Sequence, residues 1–167
     1  VVQHMEKAFQ AYHARGKELV QEPVRFVLGG VGSPAIEITG QDMYWTPESK
    51  GGQPFGQSAP RDLMQAHGPY KVRIARDGKY KFTLSRYPLY TNISMSIGGR
   101  KFKKDHIIRK VRISIAGKTR EKVVMPEDTR ATFLINLKVG DADLDTALLG
   151  DGKDGIAYFV TAEYLGK

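Results

Sequence analysis

No cysteine occurs among the 167 residues. Disulfides, thiolate metal sites and a cysteine nucleophile are therefore excluded, while the compartment stays open because bacterial exported proteins also do without cysteine. Long apolar runs are missing too: none approaches the roughly 20 residues that a spanning helix needs. Histidine is sparse, and His4, His13, His67 and His106 stand apart with no HxH or HExxH spacing, which argues against a zinc site. Tryptophan occurs once, at Trp45. The chain opens at Val1 with neither an initiator methionine nor a leader, so the expectation is a processed or excised piece of something longer.

What is present has a globular balance. Hydrophobic residues make up 41% and charged residues 26%, which points to neither wholesale disorder nor a membrane protein. The length suits one domain with its own core. Charge is unevenly spread: from Lys71 to Lys122 there are 16 Lys and Arg against 3 Asp and Glu, whereas the rest of the chain carries 10 against 15. A field of that sign favours polyanions such as nucleic acid, anionic lipid or sulfated glycan. The plainer reading puts the same cations on the solvent side of strands, where they keep a sheet soluble and blunt its edges.

Met5, Ala8, Phe9 and Tyr12 fall at helical spacing, and Gly16 is placed to end that helix. After Pro23 the pattern changes to short alternating runs, among them PVRFVLGG, AIEITG, YKVRIA, KYKFTLSR, ISMSIG, VRISIAG, REKVVM, ATFLINLKV and GIAYFVTAEYL, broken by Gly, Pro, Asn and Asp. These are strands. Their spacing predicts a mainly β fold, an antiparallel β-sandwich of jelly-roll type with one N-terminal helix, divided into a helix over 1–22 and a sandwich over 23–167. YKVRIARDGKYKFTL predicts a hairpin turning at Asp77 and Gly78, with Val72 and Ile74 sharing a face with Tyr80, Phe82 and Leu84. Residues 46–68 have three prolines and no period, and are read as a long loop, either a surface excursion or a binding loop.

Few motifs carry chemistry. Asp141, Asp143 and Asp145 alternate as calcium ligands would, but Thr146 stands where the loop needs glycine and Gly152 where it needs glutamate, so they are read as solvated turn acids. GDGKDG is turn chemistry, since no helix follows to hold a phosphate. RKFKKDHIIRK, 100–110, could grip phosphates and holds Phe102, but the aromatics that single-strand readers stack on adjacent strands are missing.

Taken in order, IEITGQDMYW, then HGPYKVRIARDGKYKFTLSRYP, then VVMPEDTRATFLINLKVGDADL, then DGIAYFVTAEYL resemble the C-terminal region of a group of bacterial arylsulfatases. There a strand like LTxxDW precedes NGxWxVxVxxDGxYxFxLRRWP, and an AxFxVxLxxGxxxL pair and a GAYYVxV strand complete the pattern. The likeness spans nearly the whole chain and rests on order and spacing together. It departs at Tyr70 and Tyr87, where the family has tryptophan. It also lacks the family's C/S-x-P-x-R nucleophile: SAPRD, 58–62, has its arginine one residue early and in the wrong region of the protein.

The resemblance therefore implies a non-catalytic domain, with calcium confined to a preceding sulfatase catalytic domain and no cofactor here. It would pack on that domain in the periplasm or outside the cell, contributing to binding of a sulfated polysaccharide. Asp42, Trp45, Arg86 and Tyr87 are the candidate ligand-binding residues. Arg86 could hold a carboxylate or sulfate bidentately and Tyr87 could offer a stacking face. The plainer alternative pairs Arg86 with an internal acid such as Asp42 and packs Tyr87 under the loop. Two other functions stay open: a free-standing carbohydrate-binding or adhesion module, and nonspecific nucleic-acid binding.

Overall fold

A computed structural model describes residues 2–19, 23–45, 51–54, 56–96 and 107–167. α1 (Val2–Leu19) opens the chain. It is followed by β1 (Phe26–Leu28), β2 (Ala35–Thr39), the single-turn α2 (Ser58–Arg61), β3 (Tyr70–Ile74), β4 (Gly78–Ser85), β5 (Ile108–Ile115) and β6 (Lys118–Val123). β7 (Ala131–Leu137), β8 (Gly140–Gly150), β9 (Asp154–Gly155) and β10 (Phe159–Gly166) complete the order. The strands form two sheets: β1-β3-β8-β5-β6, with β9 also paired to β8, and β2-β10-β4-β7. Pairing is antiparallel except between β1 and β3. The fold is a β-sandwich with an N-terminal helix, as the alternation predicts.

Period-two burial makes the two layers. Tyr80, Phe82 and Leu84 on β4, Phe133 and Ile135 on β7 and Val160 on β10 meet Val72 and Ile74 on β3, Val111 and Ile113 on β5 and Leu144 and Leu148 on β8 in one apolar cluster. Burying that surface drives the layers together, at about 25 cal/mol per Å² of apolar area.

The predicted hairpin is corrected. β3 lies between β1 and β8, whereas β4 lies between β10 and β7 in the other sheet, so residues 75–77 arch from layer to layer. Both apolar sets still face one core, because the chain reverses across the sandwich instead of within a sheet. The Ala75 amide donates to the Leu28 carbonyl at 3.0 Å, and the Tyr80 hydroxyl to the Arg76 carbonyl at 2.8 Å, which anchors the arch. β7 and β8 cross over in the same way beside it. There the Asp77 carboxylate accepts from the Val139 amide at 2.7 Å and from Lys138 Nζ at 3.0 Å, tying the two arches together. A two-residue hairpin does occur between β5 and β6, where Ala116 and Gly117 adopt φ of 48° and 73°, the positive pair of a type I′ turn.

Three further expectations change. α1 runs through Gly16 to Leu19 instead of stopping at the glycine, and Met5, Phe9 and Tyr12 are exposed. ISMSIG is irregular over 93–96, its last two residues lying outside the described ones. The segment expected as a loop carries α2, a bridge between Gly51 and Ala66, and core residues Ala59, Leu63 and Ala66, so its described part is a flap sealed onto the sandwich. Residues 46–50 and 55, and 100–106 of the basic run with Phe102, lie outside the described residues. No described helix is long and apolar enough to cross a membrane.

Candidate functional site

Register decides where the loops meet. Phe159 on β10 stands opposite Thr39 of β2 on one side and Ser85 of β4 on the other, so three strand ends lie level at one end of the smaller sheet. The turn after β2, the corner after β4 and the segment before β10 emerge side by side there, and the flap covers them. Between them opens a cavity of about 570 Å³ whose wall includes Gln41, Gln57, Tyr87, Tyr90, Tyr158 and Phe159.

Each wall is held from behind. Asp42 accepts from the Thr39 amide at 2.7 Å and from the Thr39 hydroxyl at 2.9 Å, capping the 3-10 turn Gly40–Asp42 that carries Gln41 to the rim. The Gly40 amide donates to the Tyr158 carbonyl at 2.7 Å, and the Tyr158 hydroxyl donates to the Met64 carbonyl at 2.7 Å. Burial pushes that phenol well above its ordinary range, so it serves as a neutral donor at physiological pH. β4 ends at Ser85, whose hydroxyl donates to the Tyr87 carbonyl at 2.8 Å, and after Pro88 a 3-10 turn, Leu89–Thr91, lifts Tyr90 into solvent, where it is 89% exposed.

Arg86, a candidate ligand binder with a structural alternative, lies inside the protein as a bolt between two segments. It is fully buried, its Nε donates to the Pro60 carbonyl at 2.7 Å, and its Nη2 and Nη1 donate to the carbonyls of Arg61 at 3.1 Å and Met95 at 3.4 Å. The guanidinium carbon also lies 5.3 Å from the centre of the Tyr87 ring. Burial lowers the arginine's pKa, the direction expected of a cation taken out of water. The carbonyls it reaches belong to α2 and to the loop after β4, so it joins the flap to the corner of the sheet.

The other three candidates divide. Tyr87 lines the cavity although only 8% of it is exposed. Asp42 shapes the rim from behind through Thr39 and is not part of the lining. Trp45 is 42% exposed, away from the cavity wall. Sequence reasoning missed Tyr90, Gln41, Gln57, Tyr158 and Phe159. The signal for Tyr90 was available: an aromatic two residues past the proline that follows a strand has no alternating neighbour to bury it.

A second cavity, about 410 Å³, lies on the outer face of the larger sheet, with Arg112, Ser114, Thr119, Asp145 and Asp154 along it and His67 at its margin. Asp141, Asp143 and Asp145 belong to β8 itself, which corrects their reading as turn acids. Asp141 accepts from Arg73 at 2.7 Å and Arg25 at 3.0 Å, and Asp143 from Lys71 at 2.9 Å. The Arg73 hydrogen bond holds Asp141 below the usual carboxylate range, whereas burial, then Asp143, raises Asp145. Among the described residues no three His, Asp or Glu side chains are grouped to hold a metal ion.

No family model matches the chain, and no curated protein matches it. Among solved structures it is similar to a ruminal GH26 endo-β-1,4-mannanase, at 17% identity and a TM-score of 0.46. That likeness covers 79% of this chain and 26% of the mannanase, so this chain spans about a quarter of that protein. It is also similar to the C-terminal CBM6 of LamC, a marine laminarinase from Zobellia galactanivorans, at 11% identity and a TM-score of 0.39, covering 77% of this chain and 98% of that module.

Proposed function

We propose that this chain is a carbohydrate-binding module that takes a neutral stretch of glycan in the cavity at the end of the smaller sheet. One observation carries this reading: the described wall combines four aromatic rings with two glutamine amides and two threonine hydroxyls, and contains no charged side chain. A sugar ring has a flat C–H face and a rim of hydroxyls. The face stacks on an exposed ring such as Tyr90, and the rim exchanges hydrogen bonds with Gln41, Gln57 and Thr91. A cavity of some hundreds of Å³ with a mostly apolar wall and a few placed polar groups suits a ligand of that size.

Tyr90→Ala is expected to weaken binding to neutral soluble polysaccharides at least tenfold, about 1.4 kcal/mol, with the melting temperature unchanged because the ring is solvent-exposed. Affinity electrophoresis through gels containing mannan, laminarin or xylan measures the first, and thermal unfolding the second. Retention of the variant at wild-type strength would remove Tyr90 from the site. A wild-type chain retained by no glycan would end the reading.

A second reading is favoured by α1. Its apolar stripe, Met5, Phe9 and Tyr12, is exposed along the helix, as expected of a surface that packs on another domain. On this reading the module is the non-catalytic C-terminal part of a sulfatase-like hydrolase acting in the periplasm or outside the cell. The gene should then encode, ahead of Val1, several hundred residues with a C/S-x-P-x-R motif. An upstream region holding only a leader peptide would defeat it.

A further inference from the structure

Among the described residues β6 is an edge strand of the larger sheet, and its register with β5 sets Lys122 opposite Val111, Arg120 opposite Ile113 and Lys118 opposite Ile115. The three cations therefore point to the core side of the sheet, where an edge strand of a sandwich normally buries apolar groups. They are nevertheless exposed, as is the whole of β6. They line the open rim between the layers, with β7, the edge of the smaller sheet, across from them. Lys118 Nζ donates to the Asn136 carbonyl at 2.5 Å, Lys122 Nζ sits 5.7 Å from the centre of the Phe133 ring, and Arg120 Nη1 donates to the Thr119 carbonyl at 2.8 Å. These contacts hold the side chains in place without neutralising them. Among the described residues no carboxylate lies within 4 Å of Lys118, Arg120, Lys122 or Arg130, the last of which precedes β7 near the Lys122 end.

Residues two apart on a strand are about 6.7 Å from each other, so the three cations of β6 form a straight row of about 13 Å. We propose that this row is a rail for a linear anionic polysaccharide carrying carboxylate or sulfate groups, which makes the protein's glycan an acidic one. The inference rests on the carbohydrate reading of the cavity and adds the charge class of the polymer. The chain's net charge of +8 supplies attraction at longer range. Nucleic acid is disfavoured because base binding needs exposed rings beside the phosphates. β5 and β6 have no aromatic residue, and Phe133 on β7 is buried.

The test compares the full chain, Lys118→Gln/Lys122→Gln and Tyr90→Ala in gels containing polygalacturonate, dextran sulfate, neutral mannan or single-stranded DNA, over a series of salt concentrations. The double variant is expected to lose at least fivefold of its retention by an anionic polysaccharide. Its log–log salt slope should flatten by between one and two, and its retention by any neutral glycan should stay the same. Anionic retention undiminished in the double variant overturns the rail, as does retention by DNA equal to that by the polysaccharides. If the wild type is held by an anionic polymer in a rail-dependent way while no variant or glycan reveals a role for the cavity, the cavity reading fails and the rail stands.

Discussion

Arg86→Ala is expected to lower the unfolding free energy by about 3–5 kcal/mol, because each buried carbonyl left without a donor costs about 1–3 kcal/mol and truncating a large buried side chain adds a cavity. The substitution takes away the donors that satisfy the carbonyls of Pro60, Arg61 and Met95, all reached from one buried guanidinium, and leaves a cavity where the largest fully buried side chain among the described residues stood. Pro60 also lines the cavity at the end of the smaller sheet, so the flap should loosen and, on the proposed reading, ligand retention should fall with stability. Urea unfolding reads the first effect, and a drop of roughly 10 °C in melting temperature is its thermal equivalent for a domain of this size. Arg86→Lys should recover less than half, because a single ammonium cannot span three carbonyls set around a planar fork. A variant that kept its melting temperature and lost only ligand would restore Arg86 to the binding site and refute the structural assignment.

Gly78→Ala is expected to cost about 2–4 kcal/mol, through backbone strain and collision together. Gly78 opens β4 at a φ of 149°, a conformation side-chain-bearing residues rarely adopt. A Cβ there would strike the Gly166 carbonyl and come within 2.8 Å of the Tyr164 ring, both on the neighbouring β10. Neither obstacle is the tip of a flexible chain: one is backbone, and the Tyr164 ring is fixed by its hydroxyl bond to the Asp77 carbonyl at 3.2 Å and by Arg76 lying 5.1 Å over it. Urea midpoints at constant slope measure the loss. A change under about 0.5 kcal/mol would show that the arch relaxes freely and that Gly78 does not direct it.

Gly78 also shows how far the sequence could be read. Asp-Gly between two alternating runs correctly marks a reversal that needs a positive φ. It does not say whether the reversal stays within one sheet, because both arrangements send Val72, Ile74, Tyr80, Phe82 and Leu84 to the same core. Arg86 was left between two readings for the opposite reason. An arginine at a strand end looks like a surface group, and its burial depends on carbonyls about 25 residues away in sequence that only the docked flap brings to it. Tyr87 was named for its flat face and does line the cavity, but its neighbours there, Gln41, Gln57 and Tyr158, come from three other segments with no shared motif.

Period-two alternation determined that this chain forms layered strands with one core and an amphipathic helix ahead of them, since the pleat sends successive side chains to opposite faces wherever the strand is placed. Which strands lie side by side, that Arg86 is enclosed, that β6 overhangs with its cations in water, and that four rings gather around one cavity were decided by the tertiary structure. The physical reason is that alternation specifies a face but not a neighbour. Neighbours are chosen by long-range register, as Phe159 set level with Thr39 and Ser85 shows.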